Sequence, residues 1–137
     1  MDFSIAVSVA GLPAFLAYLA VSAVLVLVYI VIYSAITPHN EFALIRENNQ
    51  AAAIAFSGSL IGFVIPLSAA VTNSNSLGDC AIWGLVALAV QILAYFALRL
   101  PVGNLSGRIA EGQAAAGIWL GAGSLAAGMV NAACMSY

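Results

Sequence analysis

The residues able to do acid–base or ligand chemistry are few and clustered: Thr37-Pro38-His39-Asn40-Glu41, then Arg46-Glu47-Asn48-Asn49, and a further carboxylate, Glu111, 64 positions after Glu47. A histidine with carboxylates can ligate a divalent metal. The spacings that build such sites, an i, i+4 His pair, CxxC or HExxH, are absent, so no metal ligand is assigned. The chain has one histidine, no nucleophile elbow and no phosphate-binding glycine loop. No catalytic residue and no cofactor site are therefore assigned, and the expectation is a protein that is not an enzyme.

The elements that must position these residues follow from composition. Of 137 residues 64% are hydrophobic and 6% charged, with no lysine and a net charge of -2. A soluble domain carries roughly a quarter charged residues, so this chain could not cover its surface in water. Four runs reach the roughly 20 apolar residues that span a bilayer: about Ala14 to Ile36, Gln50 to Thr72, Cys80 to Leu98 and Gln113 to Met135. They are too long and continuous for barrel strands, and the first lacks the basic flank of a signal peptide and is read as retained. The expected fold is an all-α membrane protein with four transmembrane helices in one domain, 1–137. Arg46, Arg99 and Arg108 all lie in or beside the first and third connections. Basic residues near span ends favour the cytoplasm, so both termini are expected to be periplasmic.

The phrase RENNQAAAI at Arg46 to Ile54 returns as AEGQAAAGI at Ala110 to Ile118. At the same offset of 64, Asn40 pairs with Asn104, Ile45 with Ile109, Ala23 with Ala87 and Val26 with Val90. The chain reads as two tandem repeats, about 12–73 and 76–137. Each crosses the membrane twice, so the two are parallel. Asn48 and Gly112 pair as residues that tolerate positive φ, predicting a left-handed turn before Asn49 and Gln113 start the next span. In the first loop, Thr37 before Pro38 predicts an N-cap and a short surface helix over 38–47, with Glu41 near its positive end. Thr37, Pro38, Glu41, Glu47, Asn49 and Glu111 form a candidate cytoplasmic rim, either a re-entry turn or a lip for a partner or solute.

Within the spans, Gly117, Gly121, Ser124, Gly128 and Asn131 recur at helical spacing, and Gly58 and Gly62 form a small-xxx-small pair. Such positions let helix backbones approach closely, and packing is their expected role. Gln91 is strongly polar at mid-span and should face a neighbour or a wet cavity. With Ser124 and Asn131 it is a candidate for interhelical bonding or a polar path. Cys80 and Cys134 both fall near the outer face, where a bridge could form.

YSAITPHNEFALIRENNQAAAIAFSGSLIGFVIPLSAAV, with WGLVALAVQ and the ending GMVNAACMSY, resembles the YjfL-like family of small bacterial inner-membrane proteins, a domain-of-unknown-function family. The resemblance runs from Tyr33 onward; where the family has Gly-Asn after the glutamate, this chain has Asn48-Asn49. It implies the bacterial inner membrane and an envelope-stress context, and no activity. The expected function is a homo-oligomeric membrane assembly in contact with lipid, with small-solute or ion passage open to it. The alternative is an accessory or scaffold subunit docking an envelope-stress or membrane-maintenance partner through its cytoplasmic loops. No nucleic-acid partner is expected.

Overall fold

The computed structural model describes residues 3–135 and contains seven helices among them: α1 (Phe3–Ala10), α2 (Leu12–Ile36), α3 (Glu41–Arg46), α4 (Gln50–Asn73), α5 (Leu77–Arg99), α6 (Leu105–Ala110) and α7 (Ala114–Ala133). Four stretches are long and apolar enough to cross a membrane: Ser4–Ile36, Gln50–Asn73, Leu77–Arg99 and Ala114–Ala133. The later three fall close to the expected spans. The first begins ten residues before its expected start at Ala14. Gly11 keeps a right-handed conformation, and Pro13 sits in the first turn of α2, where its missing N–H costs little, so Gly-Leu-Pro does not end the helix.

The bundle is organised around α4 and α7. A Cβ on Gly58 would collide with the Gly121 backbone, one on Gly117 with Ala51, one on Gly121 with the Ile54 carbonyl, one on Gly62 with the Ser124 carbonyl, and one on Gly128 with the Gly62 carbonyl. In each case the glycine hydrogen occupying that direction faces the other backbone, and against carbonyls this is a Cα–H···O contact. The small-residue stripe is thus filled within one chain. Pro66, buried in α4, has no N–H to give the carbonyl four residues before it, which is that of Gly62. The released carbonyl is the one facing Gly128.

Helix α2 joins through larger side chains. Tyr29 stacks on Phe63 with ring centroids 4.6 Å apart, Tyr33 meets Tyr95 edge-on at 5.6 Å, and the Leu25 side chain fills the space that a Cβ on Gly84 would need.

Both long loops re-enter through left-handed residues: φ is 66° at Asn48 and 80° at Gly112, as expected. Asn49 and Gln113 follow as the N-caps of α4 and α7, and the Asn49 side chain accepts from the Ala52 N–H at 3.0 Å. The first loop corrects two expectations. Its helix covers Glu41–Arg46 rather than 38–47, and its N-cap is Asn40, whose Oδ1 accepts from the Ala43 N–H at 3.1 Å. Thr37 instead closes α2, giving its N–H to the Tyr33 carbonyl at 3.0 Å. Thr37 is extended, as the residue before a proline is, and here it ends α2 and does not begin the next helix.

The proposed Cys80–Cys134 bridge is not formed: both are free, Cys80 buried and Cys134 exposed. Asn131 reaches the Ala87 carbonyl at 3.3 Å, which leaves Cys134 about one helical turn short of Cys80 along the bundle and facing outward.

Even one methyl group at Gly128 must push two helix backbones apart. Gly128→Ala should lower stability by about 1–3 kcal/mol, while Gly78→Ala, with nothing within 4 Å of the added carbon, should change it by less than about 1 kcal/mol. Thermal melts in detergent of the two variants check this; equal melting temperatures would remove the backbone contact as a stabilising feature.

Candidate functional site

The polar groups within the bundle are tied to one another. Gln91 Nε2 donates to the Ser124 carbonyl at 3.1 Å, Ser59 Oγ to Ser124 Oγ at 3.2 Å, and Asn131 Nδ2 to the Ala87 carbonyl. Gln91, Ser124 and Asn131, singled out as a polar path or interhelical glue, therefore serve as struts between α5, α7 and α4. Gln91 Oε1 is buried without a hydrogen-bond partner.

Polar side chains gather a second time at the loop face, where α2 and α5 end. The turn at Thr37 folds Glu41 back under the end of α2, so that Glu41 is 1% exposed. Its Oε1 contacts Thr37 Oγ1, which also lies 2.9 Å from the Tyr33 carbonyl. A hydroxyl has one proton to give. If Thr37 gives it to Tyr33, the contact with Glu41 requires a proton on the carboxyl. His39, 9% exposed, places Nδ1 against Ser106 Oγ on the second loop and Nε2 at 3.5 Å from Glu41 Oε1. Glu41 Oε2 and His39 Nε2 have no hydrogen-bond partner.

Burial dominates the titration of both. It raises the Glu41 carboxyl above the usual carboxylate range, with the Thr37 contact acting in the opposite sense, and it lowers His39 below the usual imidazole value. Each group is thus held toward its neutral form.

Outside this pair lies a cleft of about 690 Å³, lined by residues 38–39 of the first loop, the end of α5 and the segment from Val102 to Ala110. Arg99, His39, Asn104 and Ser106 give it polar groups, and Phe96, Leu100 and Val102 an apolar wall. Asn104 takes a left-handed conformation, φ 54°, and its amide lies over Gly107, where any Cβ would collide with it.

The structure divides the expected rim. Thr37 and Glu41 are buried, so they are not rim residues; Pro38 lines the cleft. Glu47 and Glu111 are exposed, and Gln113 Nε2 donates to Glu111 at 3.1 Å. Asn49 Nδ2 donates to the carbonyls of Ile109 at 3.0 Å and Ala110 at 3.2 Å, binding the first loop to the second. Ser106, Asn104 and the cleft role of Arg99 were not singled out in the sequence. A serine 67 positions from the histidine it meets carries no spacing signal.

The pH dependence follows in sign. A carboxyl with a raised folded-state pKa contributes stability that is complete at low pH and lost as pH rises through that value; a histidine with a lowered one contributes stability that is lost as pH falls below its ordinary value of 6.5. Glu41→Gln should therefore melt higher than the native chain at about pH 8 and alike at about pH 4, below the ordinary carboxyl value of 4.5, while Glu41→Ala, which leaves Thr37 and His39 beside a hole, should cost about 1–3 kcal/mol. Melting curves across that range check both, and a native chain more stable than Glu41→Gln at the higher pH would contradict the neutral carboxyl.

Comparison with known proteins agrees with the membrane architecture. The family model described as Domain of Unknown Function (DUF350) matches residues 7–135. The chain is 47% identical over 127 residues to the UPF0719 inner membrane protein YjfL of Escherichia coli (strain K12), across 93% of this chain and 96% of that one, and equally to its counterpart in Escherichia coli O157:H7. No solved structure matches. With helices able to span the bilayer, a family match over nearly its whole length and close inner-membrane relatives, the chain belongs to the DUF350 family.

Proposed function

We propose that this protein is a homo-oligomeric assembly protein of the bacterial inner membrane, without enzymatic activity, in which neighbouring copies cover the amino-terminal part of the first helix. The observation that carries this is the length of that helix. Ser4–Ile36 has 33 residues, about 50 Å of helix against a hydrocarbon core of about 30 Å, and only 11% of its most apolar window is buried. Leu19 shares a groove with Thr72, and Ala20 with Ala81, so α4 and α5 end near that level. The residues before it run on for about 20 Å. From Ser4 to Leu16 only Ala6 is even partly covered, and Ile5, Val7, Val9, Leu12, Phe15 and Leu16 are all exposed. Tilting α2 to bury this extension in lipid would tilt the bundle to which Tyr29 and Tyr33 bind it. Packing against the same segment of another copy covers it without that displacement.

A tandem origin of the two halves is part of the reading. Helix α3 and helix α6, their asparagine N-caps Asn40 and Asn104, the left-handed residues Asn48 and Gly112, and the starts of α4 and α7 are each 64 positions apart. This supports two parallel two-helix units. Arg46, Arg99 and Arg108 lie at the loop end of the bundle, which supports a cytoplasmic loop face and periplasmic termini. Because glycine contacts and struts occupy the interior of one chain, solute or ion passage would run between copies. The scaffold alternative would use the exposed charges Arg46, Glu47, Arg108 and Glu111 as its docking rim.

Ser106, His39 and Glu41 stand in the order of a nucleophile, a base and an acid. A triad needs an ionised acid to orient and charge its histidine. Burial favours the neutral form of Glu41, which supports a structural strut.

In lipid nanodiscs the native chain should give the mass of an oligomer, and Leu12→Glu with Leu16→Glu should give a monomer that still melts cooperatively; a monomeric native chain would refute the assembly. A fluorophosphonate probe should leave Ser106 unmodified, and labelling there would overturn the non-enzymatic reading.

A further inference from the structure

We propose that the cleft between the two loops is a phospholipid site, in which Arg99 binds the phosphodiester headgroup and Phe96, Leu100 and Val102 lie along the lipid's apolar portion. The site does not depend on the number of chains in the assembly, so its failure and the failure of the oligomer are separable.

Charge and cation–π contact carry the proposal. Arg99 is the last residue of α5, partly buried, with its guanidinium carbon 5.7 Å from the Tyr95 ring centroid and 5.9 Å from that of Phe96. Cation–π contact with two rings that stand at 72° to one another seats the guanidinium beside the cleft, where its fork of N–H donors suits a bidentate acceptor. Among the described residues no carboxylate lies within ion-pair distance of it; Glu41 lies 3.5 Å from the His39 ring instead. No acidic residue lines the cleft, so the one permanent charge facing its contents is positive. Arginine with phosphate is the pairing for which a planar fork of donors is best suited.

Neutral polar groups complete the headgroup side. With His39 neutral and its proton on Nδ1, Ser106 Oγ accepts from the ring and keeps its own proton to donate to a phosphate oxygen. Asn104, locked over Gly107, lies on the same wall.

The apolar wall distinguishes a lipid from free phosphate. Leu100 is 84% exposed and closes α5 beside Arg99, so a leucine and a guanidinium share the mouth of one cleft at the end of a membrane span. Inorganic phosphate makes no use of Phe96, Leu100 and Val102, whereas a phospholipid has both a charged group for Arg99 and apolar chain for that wall.

The test is native mass spectrometry of delipidated full-length protein titrated with short-chain phosphatidylglycerol. One molecule should bind per chain, Arg99→Gln should weaken binding at least about tenfold, and Arg108→Gln, on the exposed face of α6 outside the cleft, should leave it unchanged. Leu100→Glu, on a side chain too exposed to support the fold, should weaken binding to a similar extent at an unchanged melting temperature, which separates the site from misfolding of the arginine variant. Millimolar inorganic phosphate should not displace the lipid. Equal binding by the native chain and Arg99→Gln, an equal loss in Arg108→Gln, or displacement by phosphate alone would each overturn the assignment.

Discussion

Everything else in this molecule is positioned by the approach of two helix backbones. In lipid an apolar side chain gains little by leaving one hydrocarbon surroundings for another, so association must come from close packing and from polar backbone groups. Helices α4 and α7 obtain both by removing side chains along their shared seam. Gly117, Gly121 and Gly128 on one helix and Gly58 and Gly62 on the other bring Cα hydrogens against carbonyls of the opposite backbone. Each such contact contributes about 0.5–1 kcal/mol, and their effect is collective. Pro66 sharpens the arrangement, because the carbonyl it deprives of a helical partner is the one Gly128 faces.

That seam sets the loop face. Asn48 and Gly112 turn the chain back into the membrane at the same end of the bundle, and Asn49 reaches across to the carbonyls of Ile109 and Ala110. The reach succeeds because the glycines hold the beginnings of α4 and α7 together. With the two loops joined, His39 meets Ser106, and the space they leave beside the end of α5 is the cleft. On the other edge of α5, Trp119 of α7 donates to the Leu98 carbonyl at 2.8 Å, giving a partner to a carbonyl in the last turn of α5. The cleft is thus a by-product of intramembrane packing as much as of loop sequence.

How much of this could be read in advance depended on whether the information was local. Span positions are a matter of apolar length, and a left-handed turn is a matter of residue type, so the three later spans and the turns at Asn48 and Gly112 were visible. The glycines were visible as a packing surface, but one sequence does not say whether the surface meets another helix of the same chain or of a neighbour. Thr37 was misread because a threonine before a proline suits both the end of one helix and the start of another. Tertiary burial of Glu41 beneath it decided between them. Cys80 and Cys134 share an end of the bundle but not a level or a face, and neither difference is written in their spacing. Ser106 acquires a partner only when the loops are tied, so nothing local marked it.

The low hydropathy of α7 carries a consequence for biosynthesis. Helix α7 emerges after the other three spans and is the least apolar of the four, being built of alanine, glycine and serine where Ser4–Ile36 is built of valine, leucine and isoleucine. Its partner α4 is already made, presenting a bare backbone ready to receive it. Entry of α7 into the bilayer and its docking are therefore best served by one event, with α4 acting as a template. Until α7 leaves the ribosome, the earlier helices have no central seam, and the chain is exposed to membrane quality control as an open sheaf.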